Sequence, residues 1–198
     1  MIKVGITGGI GSGKTTVCAI FERLGVPVYY SDKRAKDLMQ EDKQLVLKIR
    51  NLFGESAYNE DKSLNRVYIA EQVFGNESKL LALNELVHPA VRKDYESWAS
   101  ILENKGYPYC IKEAALLVES GSYKDLDKLI VVTAPVEDRI SRVIARDGTT
   151  AEQVKKRIDA QLPDEQKLKL ADYVIINDKA TDLVPQVTKI HLDITSSN

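Results

Sequence analysis

Short, nearly continuous apolar runs punctuate the chain at residues 3–7, 26–30, 109–114, 128–133 and 173–176. Runs of this length without alternation are how strands covered on both faces read. Between them, apolar residues recur three and four apart. Val17, Ile20, Phe21 and Leu24 form one such stripe, stopped by Gly25 ahead of Pro27, which is the punctuation of a helix end. Strands alternating with helices predict an α/β fold, a parallel five-stranded sheet flanked by helices.

Residues 33–106 break this alternation, with several helical stripes and no convincing strand. Leu45, Ile49, Leu52 and Phe53 form one stripe ended by Gly54. Val91, Tyr95, Trp98 and Leu102 form another between Pro89 and Gly106, with Pro89 expected in the first turn of its helix. The expected organisation is one domain over residues 1–198, its core made of 1–32 and 107–198 and a helical insertion at about 33–106. Pro135 opens a helix carrying Arg139, Arg142 and Arg146, and residues of about 139–150 are expected to form a lid. Thr150 and Gln153 have capping-box spacing for the next helix. Residues 181–198 read as a final helix with a frayed, polar end.

Composition narrows the class. At 198 residues the chain can bury one good-sized core, and 43% hydrophobic with 29% charged residues excludes a disordered or fibrous protein. A formal net charge of -1 supplies no broad basic field for nucleic acid. Cys18 and Cys110 lie in apolar runs and are expected as buried, reduced thiols. His88 and His191 are far apart and near neither cysteine, so no zinc spacing exists. With no signal-peptide pattern and no run long enough to span a bilayer, a cytoplasmic chain is expected, without membrane or nucleic-acid partners and monomeric or weakly homo-oligomeric.

The chemistry begins where the first apolar run meets "GGIGSGKTT". Gly8, Gly13, Lys14 and Thr15 satisfy G-x-x-x-x-G-K-[ST], with a strand before and a helix after, the context this phosphate-cradling loop requires. Backbone N–H groups must approach a phosphate chain from several sides. Side chains at Gly8, Gly9, Gly11 or Gly13 would obstruct that approach or forbid the dihedrals. The following helix adds its positive end. The nucleotide-binding set is therefore Gly8, Gly9, Gly11, Ser12, Gly13, Lys14, Thr15 and Thr16. Lys14 is expected on the outer phosphates and the Thr15 hydroxyl in the shell of a magnesium ion. The plainer reading is a glycine-rich turn with a solvated lysine.

Asp32 closes the second strand at the carboxyl edge of the sheet, where open α/β sheets bind ligands. A carboxylate there suits proton acceptance from an attacking hydroxyl, or a magnesium contact; the alternative is an N-cap for a helix beginning at Lys33. Arg142 and Arg146 stand one turn apart, placed to fold over the nucleotide, or else solvated on a surface helix. The GTPase sequence N-K-x-D is absent, since Asn177-Asp178-Lys179 has the wrong order.

With these residues in place, the chain resembles the dephospho-CoA kinases over nearly its whole length. "ITGGIGSGKTTV" and "LGVPVYYSD" are similar to that family's opening, and "LFG", "LNR", "VF", "LN", "HP", "LLVES", "RVIARD", "RIDAQ" and "ADYVIIN" follow in the family's order. The resemblance implies a P-loop NTPase fold of nucleotide-kinase type and the phosphorylation of the ribose 3'-hydroxyl of dephospho-CoA by ATP, with magnesium. It further implies Asp32 as base and metal contact, Lys14 and Thr15 on the donor side, Arg142 as cover, and Arg66 and His88 at the acceptor. His88 reads equally well as a helix-end residue before Pro89. The chain departs from the family pattern at Ala114, Ala115 and Val118, at Arg139 where glutamine is usual, and at Tyr30-Ser31. Two other classes stay open at this stage: another small kinase, and a non-catalytic ATP sensor.

Overall fold

A computed structural model describes residues 1–196 of the chain; the frayed end expected at Ser197 and Asn198 lies outside the described residues. In chain order the elements are β1 (Ile2–Thr7), α1 (Lys14–Arg23), β2 (Val28–Tyr30), α2 (Ser31–Glu41), α3 (Lys43–Phe53), α4 (Arg66–Val73), α5 (Glu77–Asn104), β3 (Tyr109–Glu113), β4 (Lys128–Thr133), α6 (Val136–Asp147), α7 (Ala151–Asp159), α8 (Asp164–Leu168), β5 (Tyr173–Ile176) and α9 (Leu183–Ser196). Contacts divide them into two compact units, one built from Met1–Tyr30 and Leu102–Asn198, the other from Ser31–Ile101.

The first unit is a parallel five-stranded sheet in the order β2-β3-β1-β4-β5, the architecture the apolar runs predict. β1 is central, with Val4 and Ile6 paired to Ile111 and Glu113 of β3 on one side and to Lys128 and Ile130 of β4 on the other. The chain leaves β1 toward β2 at one edge and later crosses to β4 and β5 at the other. The carboxyl end of β1 therefore stands at the topological switch point where such sheets bind ligands. Strand side chains alternate between faces. Val4, Ile6, Ile130, Val132 and Ile175 form one buried cluster with Val17 and Phe21 of α1 and Val187, Ile190 and Ile194 of α9. Leu129 and Val131 pack on the opposite face with Leu117 and Val118 and with Leu162 and Leu168.

Ile130 sits at the middle of this core and is fully buried. Truncating it to alanine should lower unfolding free energy by about 2–5 kcal/mol, since close-packed neighbours collapse only partly into the hole. Urea unfolding of Ile130→Ala would show this as a lower midpoint at constant slope; a midpoint matching the parent would contradict the assignment of Ile130 to the core.

The second unit is helical. Leu45, Ile49 and Phe53 of α3 are buried, and Asp42 caps the helix by accepting from the Gln44 and Leu45 amides. Two expectations need correction here. Pro89 does not open a helix: α5 runs unbroken from Glu77 to Asn104 with Pro89 inside it. Val87, Val91, Tyr95, Ala99 and Leu102 form one continuous buried stripe across the proline, so burial of that face outweighs the one backbone hydrogen bond Pro89 cannot donate. His88 is accordingly an exposed mid-helix residue, not a helix end. The second correction concerns α2, which begins at Ser31, so Asp32 lies in its first turn and is not the N-cap of a helix starting at Lys33. Leu24 and Leu52, assigned to apolar stripes, are 39% and 38% exposed. Among the described residues no helix is long and apolar enough to cross a membrane.

Candidate nucleotide site

Residues 8–13 link the carboxyl end of β1 to the first turn of α1, and their backbone shape is set by glycine and by what packs against it. Gly13 caps α1 in the left-handed region at φ 93°, which an L side chain adopts only at a cost. Gly9 has the Arg139 guanidinium where a Cβ would stand. The Lys14 ammonium is folded over this loop, donating to the Gly8 carbonyl at 3.0 Å and the Gly9 carbonyl at 3.4 Å. The Ser12 hydroxyl is wholly buried within the loop and has no hydrogen-bond partner. An orphaned buried hydroxyl beside a lysine ammonium at a helix N-terminus suits an anion with several oxygens. Thr15 and Thr16 are exposed on the first turn of α1.

Outside the loop, three side chains turn its carbonyls outward. Arg139 Nε donates to the Ile10 carbonyl at 2.9 Å, Arg142 Nη1 reaches the Gly11 carbonyl at 3.4 Å, and Asn177 Nδ2 donates to the Ser12 carbonyl at 2.8 Å. Arg142 Nη2 also donates to the Asn177 carbonyl at 3.0 Å. Arg142 is thus brought to the loop. Arg146 is not: it is an exposed residue forked onto the Asp147 carboxylate at 2.7 and 3.0 Å, one turn beyond the reach of the loop.

The remaining predicted residues belong to the second unit. Asp32 is exposed in the first turn of α2, directly after the strand that ends at Tyr30; Arg66 is an exposed first residue of α4; His88 is exposed on α5. On the buried face of α1, Cys18 is a free thiol. Burial pushes its thiol far up from the ordinary range, reinforced by the charges of Glu113 and Glu22. Cys110 is likewise buried and forms no disulfide.

Several residues around the loop have no site role in the sequence reading. Arg139 is only 3% exposed and paired to Asp164 at 3.0 Å, although periodicity marks it only as one of three arginines on a helix. Gln161 accepts the Ile10 amide at 2.8 Å, a contact across 151 positions with no local signal. Glu113, 7% exposed, ends β3 in register with Ile6 and Tyr30; an acid closing an apolar run was the available sign. Asn177, a polar residue directly after the apolar run of β5, gives a similar sign. Glu119 acts structurally: it accepts the Leu162 amide at 3.1 Å and pairs with the fully buried Lys167 at 2.7 Å.

Comparison with known proteins agrees with this geometry. The family model for dephospho-CoA kinase matches residues 2–182. A dephospho-CoA kinase from Salinibacter ruber is 44% identical over 178 residues, covering 90% of this chain and 89% of that protein. A crystal structure from Thermus thermophilus superposes with a TM-score of 0.85 at 35% identity, covering 97% of this chain and 96% of its own. Dephospho-CoA kinase from Campylobacter jejuni gives a TM-score of 0.74 at 29% identity, covering 99% and 98%. With the match running from β1 nearly to α9, and with a relative this similar over nine-tenths of the sequence, the chain belongs to the dephospho-CoA kinase family, the phosphotransferases that catalyse the final step of coenzyme A biosynthesis.

Proposed function

We propose that the chain transfers the γ-phosphoryl group of ATP to the ribose 3'-hydroxyl of dephospho-CoA, with Asp32 as the base and the glycine loop as the donor site. Support comes above all from the loop: a lysine ammonium, an orphaned hydroxyl and the N-terminus of α1 converge at the switch point of the sheet. Loop amides other than those of Ile10 and Ser12, whose N–H groups donate to Gln161 Oε1 and the Gly9 carbonyl, act with the amides of the first turn of α1 and the Lys14 ammonium to bind the phosphates and orient the terminal group. The Asp32 carboxylate accepts the proton of the 3'-hydroxyl as its oxygen bonds to the γ-phosphorus. The bond from that phosphorus to the bridging oxygen breaks, and its electron pair leaves with ADP. The Arg142 guanidinium, next to the Gly11 carbonyl, neutralises charge on the transferring group. Arg66 and His88 are assigned to the acceptor, and Arg146 to the outer rim of the nucleotide.

The oxygen donors here suit magnesium. Among the described residues no group of three or more His, Cys, Asp or Glu side chains is set to hold a metal. An ion at this site must therefore take most of its ligands from phosphates and water, the habit of magnesium rather than zinc or calcium. The exposed Thr15 hydroxyl, with Asp32, would hold it, and bound there it would neutralise phosphate charge. The reading places this chemistry in the cytoplasm.

The direct test offers the protein ATP, magnesium and a panel of acceptors, with mass spectrometry reading which gains a phosphate. Dephospho-CoA should be converted in preference to adenosine, AMP and phosphopantetheine, and excess chelator should abolish turnover. Phosphate appearing on another acceptor instead would overturn the assignment, and full activity in chelator would remove the metal from it.

A further inference from the structure

The Ile10 residue at the crest of the loop is held on both sides, and that grip has a directional consequence. Its N–H donates to Gln161 Oε1 at 2.8 Å, and its carbonyl accepts from Arg139 Nε at 2.9 Å. Arg139 is itself tied down: Nη1 donates to Asp164 Oδ2 at 3.0 Å, and the same oxygen accepts from Thr133 Oγ1 at 3.2 Å. Thr133 ends β4, so the guanidinium is anchored to the sheet. Glycines flank Ile10 on both sides, and a peptide between such residues turns over readily. A planar trans peptide points its carbonyl and N–H in opposite directions. Pulling the Ile10 carbonyl toward Arg139 therefore turns the Gly11 amide the other way, away from Arg139.

We infer that Arg139 and Gln161 are positioning residues for the donor: by holding Ile10 from behind, they fix the loop amides in the one orientation that addresses the phosphates, and so set affinity for the triphosphate. The inference rests on the loop being the triphosphate site. Two further observations favour a role beyond filling space. The guanidinium lies against Gly9, and the Arg139 main-chain carbonyl faces Gly11 at 2.5 Å from where a Cβ would stand, so this one residue forms the back wall of the loop over three positions. Gln161, moreover, lies on the short stretch between α7 and α8, Asp164 opens α8, and Glu119 pins both through Leu162 and Lys167. The brace is thus supported from the loop after β3, not left on a free end.

Calorimetric titration of ATP and of inorganic tripolyphosphate into the full chain separates the possibilities. Arg139→Ala should weaken both by about tenfold or more, because a charge-assisted hydrogen bond and the order of the amides are lost together. Arg139→Lys, which keeps one donor, should recover part of the loss. The KM for ATP should rise in step while the KM for dephospho-CoA stays put, a split that a general loss of packing would not produce. Gln161→Leu keeps the bulk and removes the acceptor, and should weaken tripolyphosphate by about threefold to tenfold; being partly exposed, it carries the test if Arg139→Ala does not fold. Parent protein that binds while Gln161→Leu and every folded Arg139 variant bind equally well overturns this inference alone. Parent protein that gives no heat with either titrant removes the donor-site assignment, and this inference falls with it.

Discussion

Asp32→Ala should bind ATP within about threefold of the parent while its kcat falls by about 10²–10⁴-fold, the usual contribution of a positioned general base. The expectation follows from where the sequence puts the carboxylate: two residues past a strand end, exposed in the first turn of α2, not buried in a structural network. Steady-state rates with dephospho-CoA and ATP titration on one preparation give both quantities. A variant retaining full turnover would move the base elsewhere, with Glu113 at the end of β3 the next carboxylate to substitute. Asp32→Asn sharpens the result, because the amide preserves size and hydrogen bonding while losing the ability to take the proton.

Lys14→Ala should cut kcat/KM for ATP by about 10³-fold, of the order seen when one preorganised donor to developing charge is removed. Its ammonium is held over the loop by the Gly8 and Gly9 carbonyls at 3.0 and 3.4 Å, so little reorganisation precedes its engagement of the phosphates. ATP affinity should fall with kcat, in contrast to Asp32→Ala. Thermal unfolding should change little, since these are contacts of a partly exposed side chain. Equal losses of stability and activity would make Lys14 a structural residue of the loop.

Much of this was legible in the sequence because its signals are local. The Lys128–Thr133 and Tyr173–Ile176 strands begin and end where their apolar runs do, since strands buried on both faces admit few polar residues. The glycine loop was legible because its residue types answer to backbone geometry at the same positions. The signal fails where distant contacts decide. Pro89 marks a helix start by every local rule, yet the buried stripe from Val87 to Leu102 carries α5 through it. The three arginines of α6 look alike in sequence, but they have three fates. Arg139 is buried against Ile10 and Asp164, Arg142 faces the loop, and Arg146 is paired in solvent with Asp147. Only the fold, by bringing positions 10, 139, 161 and 177 together, distinguishes them.

The burial of Cys18 on the inner face of α1 carries a consequence for the chemistry the protein can withstand. The sulfur lies one helical turn from Lys14, is sealed from solvent, and is kept protonated by burial and nearby carboxylates. Peroxide and alkylating reagents attack the thiolate at an accessible surface. Neither condition is met here, so the cysteine one turn along the helix from Lys14 is shielded from both kinds of reagent.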